Sequence, residues 1–313
     1  MSEKSGVVGN FPAVKVFRTL ATVATVASLA MLNSTVPAGA SPSSDVAADV
    51  DSGVTAAFAV FDRKTGKSTL EYNEHKQIRS ASIVKILIAL DYLEKRGPDA
   101  EIPQADLVRL VPMLRSSDDN AASELWVQEG WEKIVERMVV KLKLEDTEPP
   151  VNVGFWGYTA LSASDVVKIY RYILDEAHPK FRDFIMGNLH EATKCATDGF
   201  DQSFGIPSAV PGEVAYKQGW SRFGDTPPRP CVEPQKPRTD LGAAEEGPVG
   251  PGIRAADLDL TSPAMHTSGT YGAHDRKIMV VLTLEPAGTT WDVSADRLTK
   301  LTRAIYLADR HID

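Results

Sequence analysis

Residues 83–90, IVKILIAL, would be apolar on nearly every side of a helix, and such a helix belongs inside a domain. It carries one lysine, Lys85, and Ser82 lies three residues earlier, one turn away on the same face. An ammonium held in such a helix costs several kcal/mol unless partnered. That placement suits a lysine acting as base toward a serine hydroxyl, which is a weak nucleophile until its proton is removed. A plainer reading of the same residues has Lys85 reaching solvent and Ser82 capping the helix.

The chain opens with Lys15 and Arg18, an apolar run from Leu20 to Leu32, and the small-residue site Ala38-Gly39-Ala40. This order predicts a Sec-type export signal over residues 1–40, followed by a polar linker at 41–52. The apolar run is shorter than the ~20 residues a membrane span needs, so no stable span is expected, although a retained anchor is the alternative. No cysteine follows the run to take lipid. Taking Lys4, Lys15, Arg18 and Glu3 away from 34 basic and 42 acidic residues leaves a net charge of −10. That charge disfavours nucleic acid and offers no polybasic membrane patch. Two cysteines, Cys195 and Cys231, do not staple a chain this long, yet export permits them to bridge across the segment around Lys217. The six histidines are scattered, and neither a metal nor another cofactor is expected.

Strand-prone runs lie at both ends of the remainder. Residues 53–61 and 67–72 read as a hairpin; 213–217, 263–271 and 277–284 supply later strands. Between them 104–185 reads as largely helical, including a segment at 164–176 capped by Ser162, and a last helix covers 291–308. The pattern predicts an α+β fold in which N- and C-terminal segments share one antiparallel sheet beside a helical subdomain at about 80–200. Residues 222–262, rich in proline and glycine, form a long surface excursion, either partly disordered or a lid.

These features resemble the serine β-lactamase and penicillin-binding protein superfamily, nearest to compact class A β-lactamase-like proteins of actinobacteria. The family markers are S-x-x-K, S-D-N and K-T-G. Ser82-Ile83-Val84-Lys85 completes the first, and Lys217-Gln218-Gly219-Trp220 is similar to the third. The resemblance covers roughly residues 53–309 and implies a β-lactamase/transpeptidase-like fold. The middle marker departs from the pattern. Ser117-Asp118-Asp119 keeps the serine and the alanines that follow, whereas Asp118-Asp119-Asn120 keeps only the asparagine. The first register is preferred, because Ala121 and Ala122 then let the helix pack closely. A plain helix cap by the two aspartates is the remaining alternative.

By that resemblance Ser82 would be the nucleophile, Lys85 its base and Ser117 the relay to the leaving group. Lys217 would supply positive charge beside the substrate. Gly219 would let the strand approach, Gln218 would donate a hydrogen bond, and the backbone N–H groups of Ser82 and Trp220 would form the oxyanion hole. Asp119 stands where the family uses an amide donor. Its carboxylate would pair with Lys85 or Lys217, select a substrate bearing an amine, or disable the site. Glu148, followed by Asn152, resembles the class A pair that activates the deacylating water, and a surface glutamate is the equal alternative. Trp156 and Tyr158 pack that loop or wall the cleft. The resemblance thus implies a secreted monomeric serine hydrolase acting on a β-lactam, with antibiotic hydrolysis as the outcome. The alternatives are a D-alanyl carboxypeptidase or esterase acting on cell-wall peptides, and an impaired binding protein of the same fold.

Overall fold

The two most apolar strands of the chain are consecutive in their apolar residues because both faces of their sheet are covered. In β1 (Thr55–Asp62), Ala57, Ala59 and Phe61 face one core while Ala56, Phe58 and Val60 face another. In β7 (Lys277–Leu284), Ile278, Val280 and Leu282 join the first core and Met279 and Val281 the second. This is the period of two that a pleated strand imposes. The computed structural model describes residues 42–233 and 258–312. The expected export signal and most of the 222–262 excursion lie outside them.

The chain order begins with α1 (Pro42–Ala48), β1 and β2 (Lys67–Tyr72). A short β3 (Ile78–Arg79), a 3₁₀ turn (Ala81–Val84) and α2 (Lys85–Arg96) follow. The helical layer continues with α3 (Gln104–Arg115), α4 (Asp119–Glu129) and α5 (Lys133–Leu142). Next come β4 (Ala160–Leu161), α6 (Ala163–Arg171) with a π-helical extension to Glu176, and α7 (Pro179–His190). The chain then forms α8 (Ile206–Ala209), β5 (Val214–Ser221), β6 (Ala264–Tyr271), β7 and α9 (Trp291–Arg310). The strands order as β2-β1-β7-β6-β5, each neighbouring pair antiparallel. N- and C-terminal segments therefore share one sheet, as expected of an α+β chain. Helices α6 and α7 cover one face, and α9 packs on β2, β6 and β7 from the other.

Two expectations need correction, and one pairing was not foreseen. Residues 42–48 are helix rather than linker: Val46 is buried, and Ser43 Oγ accepts a hydrogen bond from the Glu71 N–H at 3.1 Å. Strand β5 runs four residues past Lys217, because Gln218 to Ser221 keep pairing with Thr267 to Ala264. Glycine and glutamine carry weak strand propensity, and pairing with β6 overrides it. The β3–β4 pair, Ile78 with Leu161 and Arg79 with Ala160, has no periodic signal at two residues a strand. It nevertheless ties the segment before Ser82 to the loop before α6.

Helix α2 is enclosed from Lys85 to Leu93 and packs against α3, α4, α5 and α7. Its buried Asp91 takes both oxygens of its carboxylate to Arg137 of α5, at 2.8 and 2.6 Å. Gly269 of β6 is required by close approach, since a Cβ there would lie 2.0 Å from the Ala215 carbonyl oxygen. Among the described residues no helix is long and apolar enough to cross a membrane.

Candidate active site

Ser82 sits in the 3₁₀ turn that feeds α2, and the turn is pinned from two sides. On one side the Ser80 N–H donates to Thr159 O at 2.7 Å, and Ser80 Oγ donates to Gly157 O at 3.3 Å. On the other side lies β5. A Cβ on Gly219 would stand 3.1 Å from Ser80 O and 3.3 Å from Ser82 N, so a side chain there would press on the backbone of the serine. Ala81, just before Ser82, has φ +43°, and Ser117 has φ +57°. Left-handed backbone at a non-glycine residue costs of order 1–3 kcal/mol and clusters at functional sites.

Five polar side chains meet at this turn. Lys85 Nζ, fully buried, donates to Ser82 Oγ at 2.9 Å, to Ser117 O at 2.6 Å and to Ser117 Oγ at 3.3 Å, and it ion-pairs with Asp119. An ammonium has three hydrogens, so these acceptors share them. From the far side Lys217 Nζ donates to Ser117 Oγ at 2.7 Å. The result is one chain, Ser82 Oγ to Lys85 Nζ to Ser117 Oγ to Lys217 Nζ, able to carry a proton between Ser82 and Lys217. Burial, reinforced by the charge of Lys85, holds the Lys217 ammonium well below the usual lysine range. Burial thus favours the neutral amine at the end of the chain, the form that can take a proton.

The local fold explains the middle marker. Asp118 is the N-cap of α4, its Oδ1 accepting from the Ala121 N–H at 2.8 Å. That turns Ser117 between the two lysines and sends Asp119, the first helical residue, to Lys85. The buried Ala121 and Ala122 face the core. Above Lys85 lies the indole of Trp156, its ring centroid 4.7 Å from Nζ, and its Nε1–H donates to Ser123 Oγ at 3.1 Å.

Two expected participants stand elsewhere. Glu148 pairs with Ala160 as a one-residue bridge, with Glu148 N donating to Ala160 O at 3.2 Å and Ala160 N to Glu148 O at 2.9 Å. Thr147, the residue before it, is buried with its hydroxyl on Asp165. Extended backbone alternates sides, so the Glu148 carboxylate turns outward, where it is exposed and accepts from Gln77 Nε2 at 3.1 Å. Asn152 is exposed, and its Oδ1 accepts from the Gly154 N–H at 3.1 Å. Neither residue hydrogen-bonds Ser82 or Lys85 among the described residues. Gln218 also needs correction as a donor to substrate. It lies across the strand from Lys217, fully buried, with its amide donating to Gln202 O at 3.1 Å and to Phe204 O.

Sequence reasoning missed several neighbours. Asp198 accepts from the Trp220 indole N–H at 3.2 Å, and Trp220 packs against Phe200, Phe204 and Trp291. The loop bearing Asp198 is fixed beside Ser117 by the Thr197 N–H, which donates to Ser116 O at 2.8 Å. The Cys195–Cys231 disulfide closes that loop from the other side. Arg79, wholly buried, clamps the two ends of the excursion together, donating to Ser221 Oγ at 2.9 Å on one side and to Asp259 O at 2.7 Å and Ser262 O on the other. No sequence signal marked it, since a two-residue strand carries no periodicity.

No family model matches the chain. Among curated proteins it is similar to LppW of Mycobacterium tuberculosis and of Mycobacterium bovis, a lipoprotein by designation. The identity is 38% over 175 residues, 54% of this chain and 54% of each relative, so the chain matches about half the length of those relatives. Among solved structures it resembles a class A β-lactamase from Mycobacterium abscessus at 16% identity and TM-score 0.58, over 85% of this chain and 98% of that one. The TLA-1 extended-spectrum β-lactamase gives 14% and 0.61, over 86% and 98%. PBP-A gives 12% and 0.58, over 86% and 96%. At such identities the likeness is one of fold. The chain has the α+β architecture of the class A β-lactamase and penicillin-binding protein superfamily.

Proposed function

We propose that the protein is an exported serine acyl-enzyme hydrolase of the penicillin-binding, peptidase or esterase kind, in which Ser82 is acylated and released slowly. The observation that carries this reading is the hydrogen-bonded chain Ser82–Lys85–Ser117–Lys217 joined to a strand that only Gly219 lets approach. Lys85 passes a proton through Ser117 to Lys217 and takes the Ser82 proton in its place. Ser82 Oγ attacks the carbonyl, the N–H groups of Ser82 and Trp220 receive the oxyanion, and Ser117 returns a proton to the leaving group. A β-lactamase needs a second base to drive water onto the acyl-enzyme. Glu148 turns outward, and Trp156 covers Lys85, so slow release is favoured over antibiotic turnover. A PBP-A variant has been solved as an acyl-enzyme with penicillin G, an example of that outcome on this architecture. The similarity to mycobacterial LppW supports an actinobacterial setting, and the disulfide suits an oxidising compartment outside the cytoplasm.

The test is a panel of activated esters, D-alanyl-D-alanine peptides and a fluorescent penicillin, followed by intact mass. Acylation confined to Ser82 and abolished in Ser82→Ala is expected, with Lys85→Ala and Lys217→Ala each slowing it by about 10²–10⁴-fold. Unchanged reaction in Ser82→Ala would overturn the proposal.

A further inference from the structure

Both lysines at the candidate nucleophile are buried and committed, and among the described residues the partly exposed charges bordering them are those of Asp119 and Asp198. Lys85 is 0% exposed, against 36% for its partner Asp119. Asp119 makes one hydrogen bond among the described residues, to Lys85, which in turn touches Ser82 Oγ. A carboxylate has several acceptor positions and no donor, so Asp119 can take a further N–H and cannot serve a substrate carbonyl. Across the site Asp198 is exposed beside Trp220, whose neighbour Gly219 borders Ser82 N. Desolvation in its loop, and to a lesser degree the negative charge of Asp119, hold the Asp198 carboxyl above its usual range, while the Phe200 N–H it accepts draws it down. Arg222 is the exposed cation nearest along β5. Its charge acts on buried Arg79. Half-buried indoles, Trp156 and Trp220, complete the surroundings, and an aromatic face attracts ammonium groups.

Resting on the reading of Ser82 as an acylated nucleophile, we propose that the site selects acyl donors with a free protonated amine next to the scissile carbonyl, the ammonium bound by Asp119 and favoured by Asp198. The substrate class is unblocked amino-acyl esters and amides. In the reaction Ser82 Oγ forms a bond to the carbonyl carbon, the bond from that carbon to the leaving oxygen or nitrogen breaks, and the leaving group departs with the proton that Ser82 gave up. An amine on the adjacent carbon lies two bonds from the reacting atom. At that short reach an ammonium turned toward Asp119 would complete a charge-assisted hydrogen bond.

The test uses three p-nitrophenyl esters of one acyl skeleton: D-alanine with a free amine, N-acetyl-D-alanine, and propionate. Release of nitrophenolate and intact mass are followed with wild type, Asp119→Asn, Asp198→Asn and Ser82→Ala, the last giving the background. The expected kcat/KM is at least about tenfold higher for the free amine than for the acetylated ester. Asp119→Asn should erase or invert that ratio, and Asp198→Asn should reduce it. Equal or greater acylation of wild-type Ser82 by the acetylated ester would overturn the inference while leaving the acyl-enzyme reading intact. Acylation by none of the three would overturn both. The wild-type ratio stands by itself should either variant fail to fold.

Discussion

At the scale of single residues, the chain places ionisable groups where their charge is contested. His266 of β6 is the simplest case. Its Nε2–H donates to Arg79 O at 2.9 Å, and Nδ1 accepts from the Thr283 N–H at 3.2 Å, so the neutral ring satisfies both neighbours. Burial pushes its pKa down to about 4, against 6.5 for the free side chain. Above pH 6.5 the ring is neutral whether folded or unfolded. As pH falls from 6.5 to 4 the unfolded chain takes up a proton that the folded one refuses, and stability drops by about 3 kcal/mol from this residue alone. Urea denaturation of wild type and His266→Gln at pH 7 and pH 4.5 checks this: the stability gap between them should shrink at the lower pH, and parallel behaviour would contradict it. Lys217 is the same physics put to chemical use, since burial favours its neutral amine, the form able to accept a proton. Asp119 is the residue at which sequence and structure most sharpen one another. The sequence left three fates for its carboxylate, and the structure puts it on Lys85.

At the scale of elements, what could be read from sequence was whatever had period or run length. The helix at Lys85 and the strand at 277–284 were legible as sustained apolar runs, and the strand at 67–72 and the helix from Trp291 by their spacing. The Ser82 and Lys217 motifs were legible because their residue types recur at fixed spacing. Loop geometry was not legible. Glu148 and Asn152 matched a spacing, yet the direction of the Glu148 side chain is set by its bridge to Ala160 and by Asp165, neither local in sequence. Asp165 is buried near the start of α6 and accepts from Glu145 N at 3.1 Å, Asp146 N at 2.7 Å, Thr147 Oγ1 at 2.8 Å and Lys168 Nζ at 3.1 Å. Asp165→Ala would strand those donors, and the expected loss is about 3 kcal/mol with faster amide exchange over residues 145–158. A loss under about 1 kcal/mol would show that the loop is held by other contacts.

At the scale of the whole molecule, a sheet with a core on each face brings β5 against the turn before α2, and the candidate site lies on that seam. The second core meets the site from behind through Trp220, Trp291, Phe200 and Phe204. The Cys195–Cys231 bridge joins the loop bearing Asp198 to the segment leaving β5, closing a separation of 36 residues. Removing loop entropy of that length from the unfolded chain stabilises by about 4 kcal/mol in the chain-entropy model. Denaturation with and without reductant should differ by about 2–4 kcal/mol, and equal midpoints would contradict a structural role for the bridge.

The central claim is that Ser82 is acylated and that Glu148 does not clear it. The most direct measurement is intact mass over time after one addition of penicillin to wild type and to Glu148→Gln. The account predicts a persistent adduct on Ser82 with the same lifetime in both proteins. Rapid clearing in wild type with a trapped adduct in Glu148→Gln would contradict it and make the protein a β-lactamase.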